Sequence, residues 1–404
     1  MLGVRLWRLV LNRWLYPPIG FVINIALGTI YSWSVFRVPL EKLFGWSTVE
    51  SGLPFTVFLA LFALFMPLGG RLMSVVGPRR TALIGSILVG LGWVLAGFAD
   101  KVPWSLTYML VAYGVVGGIG VGLVYGVPIA VSSRWIPERK GLATGITILG
   151  FGLSPLITAV TSALLIQSAG VLKTFLYLGI TFTVILVILS LPLKFPPAEA
   201  AAASSATASK SVDLKPREMV KTRTFAGLWL SYVLGTTGGF IAISLAAKYG
   251  QEVIGLDSAL AALATAVFAI FNGVGRPSFG YLCDKIGPYN AAWISFIIIL
   301  AAALGASGGA SLLAYFVTFS LLWFTFGGWL AIAPAATSTY FGVKNIGSNY
   351  GIVFTAYGVG AVVGPQISSY IYASTGSYSL VFSTTAALAV VGLVVALTTL
   401  KRAI

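Results

Sequence analysis

Twelve apolar runs, each long enough to cross a bilayer, follow one another with a single long polar interruption. They lie near residues 17–39, 50–72, 80–99, 104–133, 140–167 and 172–193, then 225–247, 258–282, 289–308, 311–340, 347–373 and 378–400. About 20 apolar residues cross the hydrocarbon layer as a helix. In lipid a segment must satisfy its backbone internally, which selects helices. Of the 404 residues only 9% are charged, against about 25% in a soluble domain. Such a chain cannot cover a water-facing surface. A soluble enzyme, a secreted disulfide scaffold and a single-span receptor are excluded.

The residue types that are missing narrow the chemistry further. There is no His, hence no imidazole base or His metal site, and no cofactor is expected. The single Cys283 allows no intrachain disulfide. Arg5, Arg8 and Arg13 precede a first apolar run too long for a cleavable signal core, so that run reads as the first helix. The net charge of +15 does not point to nucleic acid, because the basic residues gather in alternate loops. With the N-terminus inside, 19 of the 25 Lys and Arg fall in inside segments, and 5 fall outside: Arg37, Lys42, Lys101, Lys173 and Lys248. That bias predicts an inner-membrane protein with both termini in the cytoplasm. One cation remains, Arg276, within a span.

The predicted fold is all-α, with twelve transmembrane helices in two six-helix bundles, residues 1–194 and 225–404. Between them, 195–224 is a cytoplasmic connection: Pro196 and Pro197, an Ala/Ser-rich flexible part over 198–209, then a basic part from Lys210 to Arg223. The basic part suits either anionic lipid of the inner leaflet or plain solvent. The two halves repeat. Pro67, Gly70, Gly77 and Pro78 match Pro277, Gly280, Gly287 and Pro288 at an offset of 210. Gly122, Pro128, Gly145 and Gly152 match Gly328, Pro334, Gly351 and Gly358 at 206. A parallel repeat of this kind places a binding cavity on the axis between its halves.

Gly280, Asp284 and Gly287 form the Gly-x-x-x-Asp-x-x-Gly pattern that follows the second helix of a half in the major facilitator superfamily, and the chain resembles that superfamily. In the first half Ser74 takes the Asp place. More narrowly the chain resembles the oxalate/formate antiporter family and the related monocarboxylate transporters. The resemblance rests on Gly28-Thr-Ile-Tyr31-Ser-Trp33-Ser, Gly122-Leu-Val-Tyr125-Gly126, Arg134-Trp135 through Lys140-Gly141-Leu-Ala-Thr-Gly145, Phe271-Asn272-Gly273 through Arg276-Pro277, and Asn349-Tyr350-Gly351.

Arg276 is the strongest candidate for chemistry. A guanidinium within a span costs about 2.5–3.5 kcal/mol on insertion scales, and its repeat equivalent is Met66, so the fold does not demand a cation there. The ten acidic residues all lie in loops or at span ends. Arg276 is therefore expected to face a cavity and grip a substrate carboxylate through paired charge-assisted hydrogen bonds; the competing reading is a structural pair or a side chain reaching to the interface. Asn272 lies one turn earlier on the same face. In the proton-coupled monocarboxylate transporters that place holds Asp, and the first helix holds a Lys where this chain has Val35. In the oxalate branch a second basic residue stands where this chain has Tyr357. One cation favours a monocarboxylate over a dicarboxylate.

The resemblance also places Tyr31, Tyr125, Leu149, Phe151, Phe326 and Tyr357 on the cavity wall. Trp33 and Trp329 are weaker candidates, since Trp often marks the membrane interface. Gly114, Gly118, Gly122 and Gly126 form a stripe suited to close helix packing. Asp284, with Arg139 and Lys140 near the start of the fifth helix, is expected to gate, its carboxylate accepting from that helix N-terminus.

The function this predicts is secondary transport of a small monocarboxylate such as lactate or pyruvate by alternating access, with H+, through a monomer whose other partner is membrane lipid. Carboxylate exchange is the alternative, since no intramembrane Asp, Glu or His offers a proton site. An anion channel is disfavoured by the repeat. An enzyme is disfavoured because no nucleophile–base pair exists.

Overall fold

The computed structural model describes residues 13–197, 213–308 and 311–401. Arg5, Arg8, the Ala/Ser-rich 198–209, Lys210 and Arg402 lie outside the described residues.

Helix α1 comprises Tyr16–Leu27, a 3-10 turn Gly28–Ser32 and Trp33–Phe44. It is followed by α2 (Thr48–Val76) and α3 (Pro78–Ala96). Helix α4 runs through Ser105–Met109, a π segment Leu110–Gly117, Gly118–Val124 and Gly126–Trp135. Then come α5 (Lys140–Ala169), α6 (Val171–Ser190) and α7 (Arg223–Glu252). The segment Ser258–Gly308 is α8 and α9, divided at Gly287. Helices α10 (Leu312–Phe341), α11 (Ile346–Thr375) and α12 (Tyr378–Thr399) complete the order. Ten of the described helices are long and apolar enough to span alone; one of these is the divided α8–α9, and α1 is a pair bent by 48°. All twelve expected helices are present.

Sequence explains most of the boundaries. Gly77 and Gly287 take φ of 84° and 81°, a region closed to most L residues, and Pro78 and Pro288 follow, whose rings preset the first turn of a new helix. Ser47 and Glu50 cap α2 reciprocally, Ser47 N donating to Glu50 Oε2 at 2.8 Å and Glu50 N to Ser47 Oγ at 3.2 Å. Thr222 and Ser377 cap α7 and α12 through Phe225 N and Leu380 N.

The chain divides into two compact units. Unit 1 holds Met1–Pro137, Ile146–Ser209 and Asn345–Ile352; unit 2 holds Glu138–Gly145, Lys210–Lys344 and Val353–Ile404. The first turns of α5 thus belong to unit 2, and those of α11 to unit 1.

In unit 1 the glycine stripe of α4 faces α2: Gly118 lies on the Phe58 backbone, Gly122 on the Phe62 carbonyl, and Gly126 against Met66. The stripe packs helices, as small residues do in lipid. A ring stack of Trp33, Tyr113, Phe36, Trp93 and Phe175 fills the interior, with Trp33 and Tyr113 4.5 Å apart. Trp33 Nε1 donates to the Ser51 carbonyl at 2.9 Å. A polar seam ties α1 to α5, Ser32 Oγ sharing a hydrogen with Thr158 Oγ1 at 2.8 Å and Ser154 Oγ donating to Ile25 O at 2.6 Å.

In unit 2, α7 and α10 are the most enclosed helices. Gly235 and Gly239 of α7 admit the Trp329 and Phe326 rings of α10. The basic connection is docked from residue 213 onward. Asp213 Oδ1 accepts from Lys344 N at 3.0 Å, Leu214 N donates to Phe341 O at 3.0 Å, and Met219 is fully buried. From residue 213 the connection is thus tied to the end of α10, with Lys215, Arg217, Lys221 and Arg223 left exposed.

Candidate functional site

Arg276 lies on α8 and is 0% exposed. Glycines make that enclosure possible. Gly275 lets the Phe324 carbonyl of α10 approach, Gly327 sits on the Asn272 carbonyl, and Gly328 meets the Phe279 ring. On another side Gly145 rests on the backbone of Arg276 and Pro277, where an added Cβ would come within 2.8 Å of the Arg276 carbonyl. A guanidinium so buried must keep hydrogen-bonding partners to offset desolvation. One is Asn272 Oδ1, accepting from Arg276 Nη2 at 3.5 Å. The one-turn spacing read from sequence does bring the two side chains together.

Phe326 and Tyr357, also in unit 2, belong to an aromatic group completed by Phe240 and Phe354. Phe240 lies 4.9 Å from Phe326 and 5.2 Å from Tyr357, and Phe354 stacks on Tyr357 at 4.8 Å. In unit 1, Tyr31, Tyr125 and Phe151 form a second group around Phe62. Phe151 is 5.2 Å from both Tyr31 and Tyr125, and Phe62 is 5.1 Å from Tyr125. Tyr31 itself stands in the 3-10 turn Gly28–Ser32 of α1. Leu149 precedes Phe151 by two residues, so it points about 200° away on α5 and is half-buried apart from the rings.

The repeat offsets relate the two groups. Asn272 corresponds to Phe62, Arg276 to Met66, and Tyr357 to Phe151. At three equivalent places unit 1 carries apolar side chains and unit 2 polar ones. Sequence reasoning misses Phe62, although the offset of 210 from Asn272 points to it; Phe240 and Phe354 carry no such signal.

Asp284 makes the hydrogen bonds foreseen for it. Its Oδ1 accepts from Gly141 N and its Oδ2 from Leu142 N, both at 2.8 Å. These donors are in the first turn of α5, where the free amides and helix dipole favour a carboxylate. Gly141 and Gly280 touch backbone to backbone, so neither place has room for a side chain. Arg139 is exposed and Lys140 half-buried at the same turn. Trp33 and Trp329 are both buried in ring stacks, Trp329 lying 5.2 Å from Phe296. Neither marks an interface.

No group of three or more His, Cys, Asp or Glu among the described residues is placed to hold a metal. Residues 19–339 match the Major Facilitator Superfamily. The chain belongs to this superfamily. The oxalate:formate antiporter of Oxalobacter formigenes is 28% identical over 373 residues, covering 90% of this chain and 86% of that protein. Monocarboxylate transporter 13 of Rattus norvegicus is 25% identical, covering 93% and 84%. The crystal structure of the Major Facilitator Superfamily transporter FucP in the outward conformation superposes with a TM-score of 0.73 at 14% identity, covering 96% of this chain and 99% of that one. At that identity the likeness concerns the fold alone, and it is the twelve-helix fold expected from sequence. This member of the Major Facilitator Superfamily is a multi-pass membrane transporter, not an enzyme.

Proposed function

We propose that this transporter moves a small monocarboxylate of the lactate or pyruvate type across the inner membrane by alternating access, together with H+, and that Arg276 holds the carboxylate. The observation that carries the reading is the fully enclosed Arg276 with Asn272 Oδ1 at 3.5 Å. A planar guanidinium fork matches a carboxylate with two parallel hydrogen bonds, and the bound anion neutralises a charge that is expensive to keep from water. Asn272 fixes the fork by accepting from Nη2. Its amide is neutral, so it does not compete for the cation as an acid would. Carboxylate-named relatives support the same substrate class.

The remaining roles are part of this proposal. Phe326 and Tyr357 line the carboxylate side, and Tyr31, Tyr125 and Phe151 act on selectivity for the carbon skeleton, while Leu149, on another side of α5, takes no part in it. Asp284 gates by gripping or releasing the α5 N-terminus, with Arg139 and Lys140 adding positive charge there. Both termini face the cytoplasm, on the strength of the charge bias, and the working unit is the monomer.

A second reading, carboxylate exchange without protons, is favoured by one observation: Asn272 occupies a place where a carboxylic acid would have carried a proton. Purified protein in liposomes separates the two. A pH gradient, inside alkaline, should drive lactate accumulation in empty vesicles under symport. Under exchange only vesicles preloaded with a counter-anion take up label. Unchanged uptake by Arg276→Gln would overturn the site under either coupling.

A further inference from the structure

We propose that a groove in unit 1, where α1 begins, α2 turns into α3 and α6 ends, binds an anionic phospholipid, with the phosphate held by Arg79, Arg80 and Lys194. The groove encloses about 630 Å³. One part of its lining is the cationic trio; the other is apolar, drawn from Leu15, Ile19, Val76 and Leu191. Leu15 and Leu191 are 54% and 44% exposed, surface that an acyl chain covers. A charged rim continuing into an apolar floor has the chemistry of a glycerophospholipid, and a basic pocket between helix ends on the cytoplasmic side is suited to an anionic head group.

The wall that carries Lys194 is fixed. Trp135 Nε1 donates to the Lys194 carbonyl at 2.8 Å, Tyr16 stacks on Trp135 at 5.1 Å, and the Arg134 guanidinium lies 3.7 Å above the Phe195 ring. The opposite wall is the first turn of α3, whose Gly77 cap offers no side-chain acceptor, so its dipole adds to the attraction for phosphate.

The fold of this turn does not itself require the two arginines. At the repeat equivalents of Arg79 and Arg80 stand Tyr289 and Asn290. Asn290 is turned to local use, Nδ2 donating to Ile286 O at 2.6 Å and Oδ1 accepting from Trp293 Nε1 at 2.9 Å. The same turn of the fold therefore forms without cations. Free phosphate would satisfy the rim and leave the floor uncovered. Phosphatidylcholine would cover the floor but bring an ammonium among three cations. A net-negative lipid satisfies both.

The test is lipid binding to the purified full chain in neutral detergent, read by native mass spectrometry. Phosphatidylglycerol, phosphatidylcholine, glycerol phosphate and inorganic phosphate are titrated separately. Phosphatidylglycerol should bind saturably and phosphatidylcholine should not. Arg79→Gln with Arg80→Gln should weaken phosphatidylglycerol about thirtyfold, and Lys194→Gln alone about fivefold, from the contribution of each cation near a lipid surface. Arg71→Gln, an exposed cation outside the groove, should leave binding unchanged. Equal binding by the double variant and Lys194→Gln, or equal binding of phosphatidylcholine, overturns the proposal. Binding of either phosphate in the same concentration range, lost with the same variants, assigns the trio to free phosphate and overturns the lipid.

Discussion

Where α5 meets α8 in unit 2, Gly145 rests on the backbone of Arg276 and Pro277; where α11 meets α2 in unit 1, Gly351 rests on Met66 and Pro67 in the same way. One turn away, Gly141 meets Gly280 in the first joint and Gly347 meets Gly70 in the second. The backbone of the joint is thus built twice. The side chains that flank it differ. Arg276 answers Met66, and Asp284, accepting from two amides of α5, answers Ser74, whose hydroxyl is exposed and donates to its own helix at Arg71 O. Glycine and proline recur because close approach and the turn require them. The charges occur once, so the joint itself does not require them, and the proposed function assigns them to transport.

The sharpest way to break that comparison is to remove the charge from one copy and change the other at constant volume. Arg276→Gln should lower lactate uptake about a hundredfold, the scale expected when one partner of a desolvated charge pair is lost. Met66→Leu should stay within about twofold, as a volume-conserving swap in an apolar place. Initial rates in proteoliposomes, with the inserted protein quantified, read both. Equal losses would mean that the place, not the charge, matters.

That much of the comparison is legible in the amino-acid sequence. The lone in-span cation, the Gly287–Pro288 break and the 210 and 206 offsets are all local or periodic signals. The 3-10 turn of α1 at Gly28–Ser32 is not, because it depends on Gly28 fitting against the Phe151 backbone of α5. The grouping of the first turns of α5 and α11 apart from the rest of their helices is likewise a matter of packing between distant segments. Trp33 misleads for a related reason. Its ring suits an interface as well as a core, and only the stack on Tyr113 and the bond to Ser51 O decide between them.

The glycines offer the next test, aimed at the shared part of the joint. Gly145→Ala and Gly351→Ala each push a methyl onto a Pro Cα and a carbonyl oxygen in the facing helix. Overpacking of this kind costs about 1–3 kcal/mol, so both variants should lower the melting temperature in detergent by similar amounts. A loss confined to Gly145→Ala would show that the two joints are not mechanically equivalent.

Asp284→Asn should slow uptake about tenfold, since Asn keeps one acceptor oxygen for two amide donors and loses the charge that faces the helix dipole. Ser74→Ala should change nothing, because the Ser74 hydroxyl serves only its own helix. The readout that separates gating from simple destabilisation is counterflow: a variant with normal KM, normal melting temperature and slow exchange is a gating variant. A lowered melting temperature with proportionally fewer active molecules would return Asp284 to a structural role.

The smallest effect tests the third polar place, where Tyr357 answers Phe151. The Tyr357 ring is 1% exposed and already held by Phe240 and Phe354, so Tyr357→Phe keeps the packing and removes one hydroxyl. If that hydroxyl donates to the second carboxylate oxygen, its loss costs about 0.5–1.5 kcal/mol, a two- to tenfold rise in KM with kcat held. Phe151→Tyr adds a hydroxyl among Tyr31, Tyr125 and Phe62, where the reading gives it no anion to serve, so KM should rise or stay rather than fall. A fall in KM for Phe151→Tyr would place carboxylate recognition in unit 1 as well and dissolve the polar–apolar division between the repeats. The two variants are informative as a pair because they move the same oxygen between equivalent places while leaving Arg276 untouched.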